Sequence, residues 1–223
     1  MPPDLWKALA DSQPALGKLL DLMTFCWRTK TTPASWRTSS VVAIFKNKGN
    51  EALPENYRPI SLLCVGYKVL AMLLLLRLKA GGSEKRLSAT QYGFRAGRST
   101  REPTLFLRSL FSEAGATQGG SLSAVLLDWE KAFDRLDPAM MVTALRLFGV
   151  PEDFCAMIRG IYAHRTFTVS DGWGTSVEHC QASGIAQGCP LSPYLFIIAL
   201  TVVTESAQQE WQREATRPTK PVM

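Results

Sequence analysis

The stretch Leu122 to Pro138, LSAVLLDWEKAFDRLDP, constrains the fold more than any other part of the chain. An apolar run of strand length stops at an acid, Asp128, and a densely charged turn follows. Asp137 and Pro138 then supply an N-cap and a first helical residue whose missing N–H costs nothing there. Gly149 closes that helix, and PEDFCAMIRGIYAHR repeats the same start logic from Pro151. A buried strand followed by two helices in series is the expectation for this stretch.

The flanking segments extend this pattern. Leu5 to Trp27 carries Leu9, Leu16, Leu19, Leu20 and Met23 at mostly helical spacing, until Thr31, Thr32 and Pro33 interrupt it. SSVVAIFKNKGN reads as a strand that delivers Lys46 and Lys48 to a loop. Pro59 and the Gly81-Gly82 pair bracket a helix expected over Ser61 to Lys79, and another is expected from Thr100 to about Glu113. TFTVSDGWGTSVEHC, with Asp171-Gly172 between β-prone runs, reads as a hairpin. Leu191 to Val203 is expected to be helical, with 204–223 as a frayed polar tail.

Composition narrows the function classes. With 223 residues, 46% of them hydrophobic, the chain can bury one sizeable core. Its net charge of +6 is spread among apolar and aromatic residues, which suits a surface that tolerates phosphate backbones. The five cysteines are odd in number and never in C-x-x-C spacing, so neither a zinc site nor a disulfide framework is suggested. His164 and His179 lack spaced partners for a metal. The greasiest run, Val69 to Leu78, is about half the length a membrane span needs, so the chain reads as a soluble protein or a fragment of one.

Taken alone, Asp128 could be the first solvated residue of a loop. Three other segments bear on it: ENYRPISLL from Glu55, QYGFRAGRST from Gln91 and GIAQGCPLSPYLF from Gly184. In this order and at these intervals, and together with LLDWEKAFD, they resemble the reverse transcriptase domain of non-LTR (LINE-type) retrotransposons. The resemblance covers roughly Trp36 to Ala199. It implies an α+β fold: the fingers and partial palm of a right-hand polymerase, with an incomplete antiparallel palm sheet packed against helices. On that basis 1–35 is a helical extension, 36–121 a fingers-type region, 122–203 a partial palm and 204–223 the tail.

The resemblance also implies roles. Such enzymes join a primer 3′-hydroxyl to an α-phosphate with two divalent ions, Mg2+ or Mn2+, about 4 Å apart and held by carboxylates. Asp128 matches one ligand, and the backbone carbonyl of Trp129 would add another oxygen. Phe133 matches the aromatic gate that excludes a ribose 2′-hydroxyl, the alternative being a core phenylalanine. Lys46 and Arg58 match the residues that grip the triphosphate, with Lys48 able to replace Lys46 and a solvated loop lysine as the alternative. Arg95 and Arg98, in a glycine-broken turn, are placed near template or nucleotide. Gln187, in a tight loop allowed by Gly184 and Gly188, matches the glutamine near the incoming sugar and template base. The implied partners are an RNA template with a DNA primer and deoxynucleoside triphosphates, with no membrane; the implied setting is intracellular, in nucleus or cytoplasm.

The sequence departs from the family in two places. Many relatives carry an acid after the glycine of the Gln187 loop, whereas this chain has Cys189. The family's aromatic-x-Asp-Asp motif, which brings the remaining carboxylates, has no counterpart: the sequence contains no Asp-Asp dipeptide and no aspartate after Gln187, only Glu205, Glu210 and Glu214. The expectation is therefore a truncated polymerase piece, inactive alone. A nucleic-acid-binding remnant that kept the groove and lost the chemistry is the alternative.

Overall fold

A computed structural model describes residues 9–171 and 174–215. Helix α1 (Gln13–Thr29) has a proline in its first turn and ends at Lys30 in the left-handed region, burying Met23 and Cys26. The start expected at Leu5 lies outside the described residues. The 31–33 break then leads through a short 3-10 turn, Ala34–Trp36, into the first strand.

Strands β1 (Thr38–Phe45) and β2 (Tyr57–Leu62) form an antiparallel hairpin. β2 corrects the expectation of a helix starting at Ser61, because the ladder holds Ser61 opposite Val41 and the following helix, α2 (Val65–Ala80), starts four residues later. Pro59 does not open a helix. It sits opposite Ala43 in a strand at the edge of the sheet, where a missing N–H leaves no ladder bond unmade. α2 closes on Gly81 and Gly82, Gly82 taking φ +84°, as the glycine pair suggests.

A single turn, α3 (Ser83–Arg86), precedes α4 (Arg101–Ala116), no residue of which is fully buried. The short α5 (Ala132–Arg135) leads to α6 (Pro138–Leu147) and α7 (Glu152–Tyr162). The Asp137 cap is as expected: its Oδ1 accepts from the N–H of Ala139 at 2.7 Å and of Met140 at 2.9 Å. β3 (Thr166–Ser170) and β4 (His179–Cys180) make the expected hairpin, although Gly172 of its turn lies outside the described residues. The last helix, α8 (Ser192–Ala215), runs twelve residues past Val203, so the segment expected to fray is helical to 215.

The sheet order is β2-β1-β3-β4, and it is mixed: β1 pairs antiparallel with β2 but parallel with β3, Thr38 standing opposite Thr166. This corrects the expectation of an antiparallel palm sheet. Strands from the 36–121 and 122–203 regions instead share one sheet, joined by a crossover long enough to permit parallel pairing. The core lies beside it, where Leu70 and Leu74 of α2, Met141 and Leu145 of α6, Ile158 of α7 and Leu195 and Ile198 of α8 are buried together. Each such side chain contributes about 1.5–3 kcal/mol by leaving water. Gly160 lets α7 cross the end of α1, since a Cβ there would overlap the carbonyl of Lys30. All five cysteines are free.

Candidate functional site

A cleft of about 1130 Å3 opens between the hairpin and the loop that precedes α8. Strand alternation turns Val41, Ala43, Tyr57 and Pro59 toward it, and Phe167, Ser183 and Gln187 line the opposite side. The loop is fixed at both ends. Ser61 N–H donates to the Gln187 carbonyl at 2.8 Å, and Ile185 N–H donates to the Phe133 carbonyl at 2.8 Å. Gly188 has φ +117°, and a Cβ there would stand 2.6 Å from the Ser61 carbonyl oxygen; at Gly184, with φ +83°, it would stand 2.8 Å from the Asp134 carbonyl oxygen. Both positions therefore require glycine.

This geometry brings the third and fourth sequence segments together. The Gln187 side-chain amide donates to Asp134 Oδ1 at 3.1 Å, and Ser183 Oγ donates to the Asp134 carbonyl at 3.1 Å. Asp134, within the charged turn after Asp128, thus orients Gln187. The Phe133 ring is half-buried, stacked on Phe196 at 5.2 Å and met edge-on by Phe94 at 6.1 Å. Phe94 has φ +57°, an uncommon conformation for a bulky residue, and no sequence pattern marks it as part of this aromatic wall.

The segment before it does not follow the expectation. The buried strand expected over LSAVLLD is absent: residues 121–129 form no strand, and Val125, Leu126 and Leu127 are 82%, 88% and 82% exposed. A strand needs a ladder partner, and no strand among the described residues pairs with this one. Asp128 and Trp129 are exposed with it. Among the described residues no group of three His, Cys, Asp or Glu side chains could hold a metal ion. One carboxylate and one carbonyl on an exposed segment are too few for a pair of divalent ions, so the residues present do not fit that cofactor set.

The basic residues divide in two. Arg58 pairs with Ile44, and the ladder continues as Lys46 N–H donates to the Asn56 carbonyl at 2.8 Å, so Arg58 and Lys46 share the hairpin face opposite Ala43 and Pro59. They are not in the cleft, which carries Glu51, Asp134 and Asp171 but no Lys or Arg among its described lining residues. Arg58 is exposed with no side-chain hydrogen bond or ion pair among the described residues, and Lys46 Nζ donates to the Glu55 carbonyl at 2.7 Å. Arg95, by contrast, is fully engaged: Nη1 donates to the Ser88 and Gln91 carbonyls at 2.9 and 3.2 Å, Nη2 to the Glu84 carbonyl at 3.1 Å and Nε to the Glu84 carboxylate at 3.2 Å. It clamps its own loop. Arg98 is freer, 3.9 Å from Glu102 and over the Tyr92 ring at 5.5 Å.

Comparison with known proteins agrees with the four segments. The family model described as "Reverse transcriptase (RNA-dependent DNA polymerase)" matches residues 44–217. A Xenopus laevis protein, the Transposon TX1 uncharacterized 149 kDa protein, is 31% identical over 80% of this chain and 14% of its own length. The RNA-directed DNA polymerase from mobile element jockey of Drosophila melanogaster is 31% identical over 74% of this chain and 18% of its own. The Retrovirus-related Pol polyprotein from type-1 retrotransposable element R2 of Popillia japonica is 30% identical over 79% of this chain and 24% of its own. The chain thus spans less than a quarter of the length of these relatives. Among the described residues no helix is long and apolar enough to cross a membrane. The chain belongs to the reverse transcriptase (RNA-dependent DNA polymerase) family, among the reverse transcriptases of non-LTR retrotransposons.

Proposed function

We propose that the chain is the fingers and part of the palm of a right-hand polymerase that copies an RNA template onto a DNA primer inside the cell, and that the chain alone does not extend a primer. The observation that carries this reading is the joining of the Phe133–Asp134 turn and the Gln187 loop by the Gln187–Asp134 bond, beside a hairpin bearing Lys46 and Arg58. Phe133, held between two rings, is rigid enough to reject a ribose 2′-hydroxyl. Lys46 and Arg58 offer cations to the β- and γ-phosphates of a deoxynucleoside triphosphate, and Arg98 remains available to a backbone phosphate. Arg95 acts on substrate only through the loop it holds.

Asp128 is the ligand in this reading for one of the two Mg2+ or Mn2+ ions, with the Trp129 carbonyl beside it. Those ions would neutralise the triphosphate and stabilise the leaving pyrophosphate. Because the described residues assemble no such site, no chemical step is assigned to Asp128 by itself. Incubating the pure chain with primer-template, deoxynucleotides and magnesium should give no extension. Magnesium-dependent incorporation that disappears in Asp128→Asn would overturn the inactivity.

A second reading, a non-catalytic nucleic-acid-binding module, is favoured by the exposed, unpaired Arg58 beside Lys46 in a chain of net charge +6. Its mark is salt-sensitive binding of primer-template without incorporation. Absence of binding even in low salt excludes it.

A further inference from the structure

Arg165 immediately precedes β3 with 3% of its surface exposed, and its Nε and Nη2 are buried with no hydrogen-bond partner. Nη1 alone is engaged, donating to Tyr67 Oη at 3.3 Å. The guanidinium lies 5.1 Å from the centroid of the Tyr67 ring and 5.6 Å from that of Tyr162. No carboxylate pairs with it among the described residues. Burial pushes the Tyr67 and Tyr162 phenols above their ordinary values, so neither supplies an anion at neutral pH. A buried guanidinium with no anion is strongly destabilising unless a neighbour compensates.

The same Tyr67 Oη also lies 3.3 Å from the buried Cys189 Sγ, so the guanidinium and the thiol meet on one phenol oxygen. Arg165, Tyr67 and Cys189 thus form one line from the start of β3, past α2, to the residue after Gly188. That line ends where the Gln187 loop leaves the cleft. Two amides report the loop's place directly, Ser61 N–H on the Gln187 carbonyl and Ile185 N–H on the Phe133 carbonyl, both at 2.8 Å.

We propose that position 189 is the counter-ion position for Arg165, and that Arg165, acting through Tyr67, is a positioning residue for the Gln187 loop. The pairing stands on geometry alone; its relevance to nucleotide recognition rests on the reading of Gln187 given above. A carboxylate at 189, one phenol oxygen away from Arg165, would supply the missing anion, and removing the guanidinium would release the loop.

The test uses the full chain with Cys189→Asp and Arg165→Met, singly and together. Cys189→Asp should raise the melting temperature by about 5 °C when Arg165 is present and lower it in the Arg165→Met background, where the new carboxylate is buried alone. In hydrogen exchange, Arg165→Met should speed Ser61 and Ile185 on the order of tenfold while amides of α6 keep their rates. The same sign of shift in both backgrounds, or unchanged exchange at Ser61 and Ile185, overturns the proposal. Should Arg165→Met not fold, Cys189→Asp against the isosteric Cys189→Asn reads the same charge: a higher melting temperature for Asp supports it, an equal or lower one sinks it. Neither readout involves nucleotide or primer. A chain that bound no nucleic acid yet showed the sign reversal would exclude the nucleic-acid-binding reading and leave this pairing intact.

Discussion

Removing Lys46 and Arg58 together should change how binding to primer-template responds to salt, beyond weakening it. Arg58 has no side-chain partner among the described residues and Lys46 has only the Glu55 carbonyl, so both charges are available to phosphate. Each phosphate neutralised on a duplex contributes about 0.9 to the slope of log K against log salt, so two contacts carry about 1.8. Raising salt from about 50 to about 200 mM should then cost the wild-type chain roughly twelvefold more affinity than Lys46→Ala/Arg58→Ala. Fluorescence anisotropy on a labelled RNA-template, DNA-primer duplex measures both slopes. Arg95→Ala is the control with the opposite signature. Its guanidinium is taken up by three carbonyls and Glu84, so the change should lower stability by about 2–4 kcal/mol and leave the slope of the folded protein unaltered. Equal slopes for wild type and the double variant, or a loss of slope in Arg95→Ala, would refute the division of the basic residues into free and engaged.

Gly188→Ala should destabilise by about 2–4 kcal/mol, lowering the melting temperature by about 5–10 °C, because positive-φ strain adds to a collision with the Ser61 carbonyl; Gly17→Ala, mid-helix with nothing within 4 Å, should raise it. Glu152, held down to about 2 by the Arg146 guanidinium first and by Arg159 after it, contributes stability that is full above its ordinary value of 4.5 and fades as pH falls toward 2. Glu152→Gln should therefore melt lower than wild type at neutral pH and converge on it in that acid window, whereas a constant gap down to about pH 2 would contradict the linkage. Leu126→Lys should leave melting unchanged and reduce self-association in sedimentation, since an exposed apolar run is an aggregation hazard; a clear drop in melting temperature would mean the side chain is buried.

What the sequence made legible was local. Asp137-Pro138 and Gly149 bound α6 because a cap, a proline and a glycine act within one turn, and the four segments named the family because their order survives without coordinates. The failures are pairing problems. Tyr57–Leu62 carries a proline that, within its own window, reads as a helix start; only the ladder to β1 keeps it extended. Leu122–Asp128 has the apolarity of a buried strand, yet apolarity does not supply a partner. The helical run to Ala215 was missed for another reason: QQEWQREA is polar but made of good helix formers, and propensity outweighed the polarity that suggested a tail. Arg95 and Arg165 carried no distinguishing signal, because an arginine that satisfies carbonyls, one on a phosphate and one buried without an anion look alike as letters.

The two faces of the hairpin limit how a nucleotide can use this site. The cleft carries Glu51, Asp134 and Asp171 and no Lys or Arg among its described lining residues, which disfavours a triphosphate there, whereas Lys46 and Arg58 lie on the hairpin's other face. Phosphates held by Lys46 and Arg58 therefore require the sugar and base to cross the hairpin's edge to reach Gln187. That crossing needs Gln187 in a fixed place; its side chain is held by Asp134 at 3.1 Å, and its loop by the backbone bonds to Ser61 and Phe133. The loop's position is consequently set from behind, by glycines that no side chain can replace and by the polar line through Tyr67. Substitutions that alter recognition at Gln187 should then be found in residues that never touch a nucleotide, and the core side of the loop is where such residues lie.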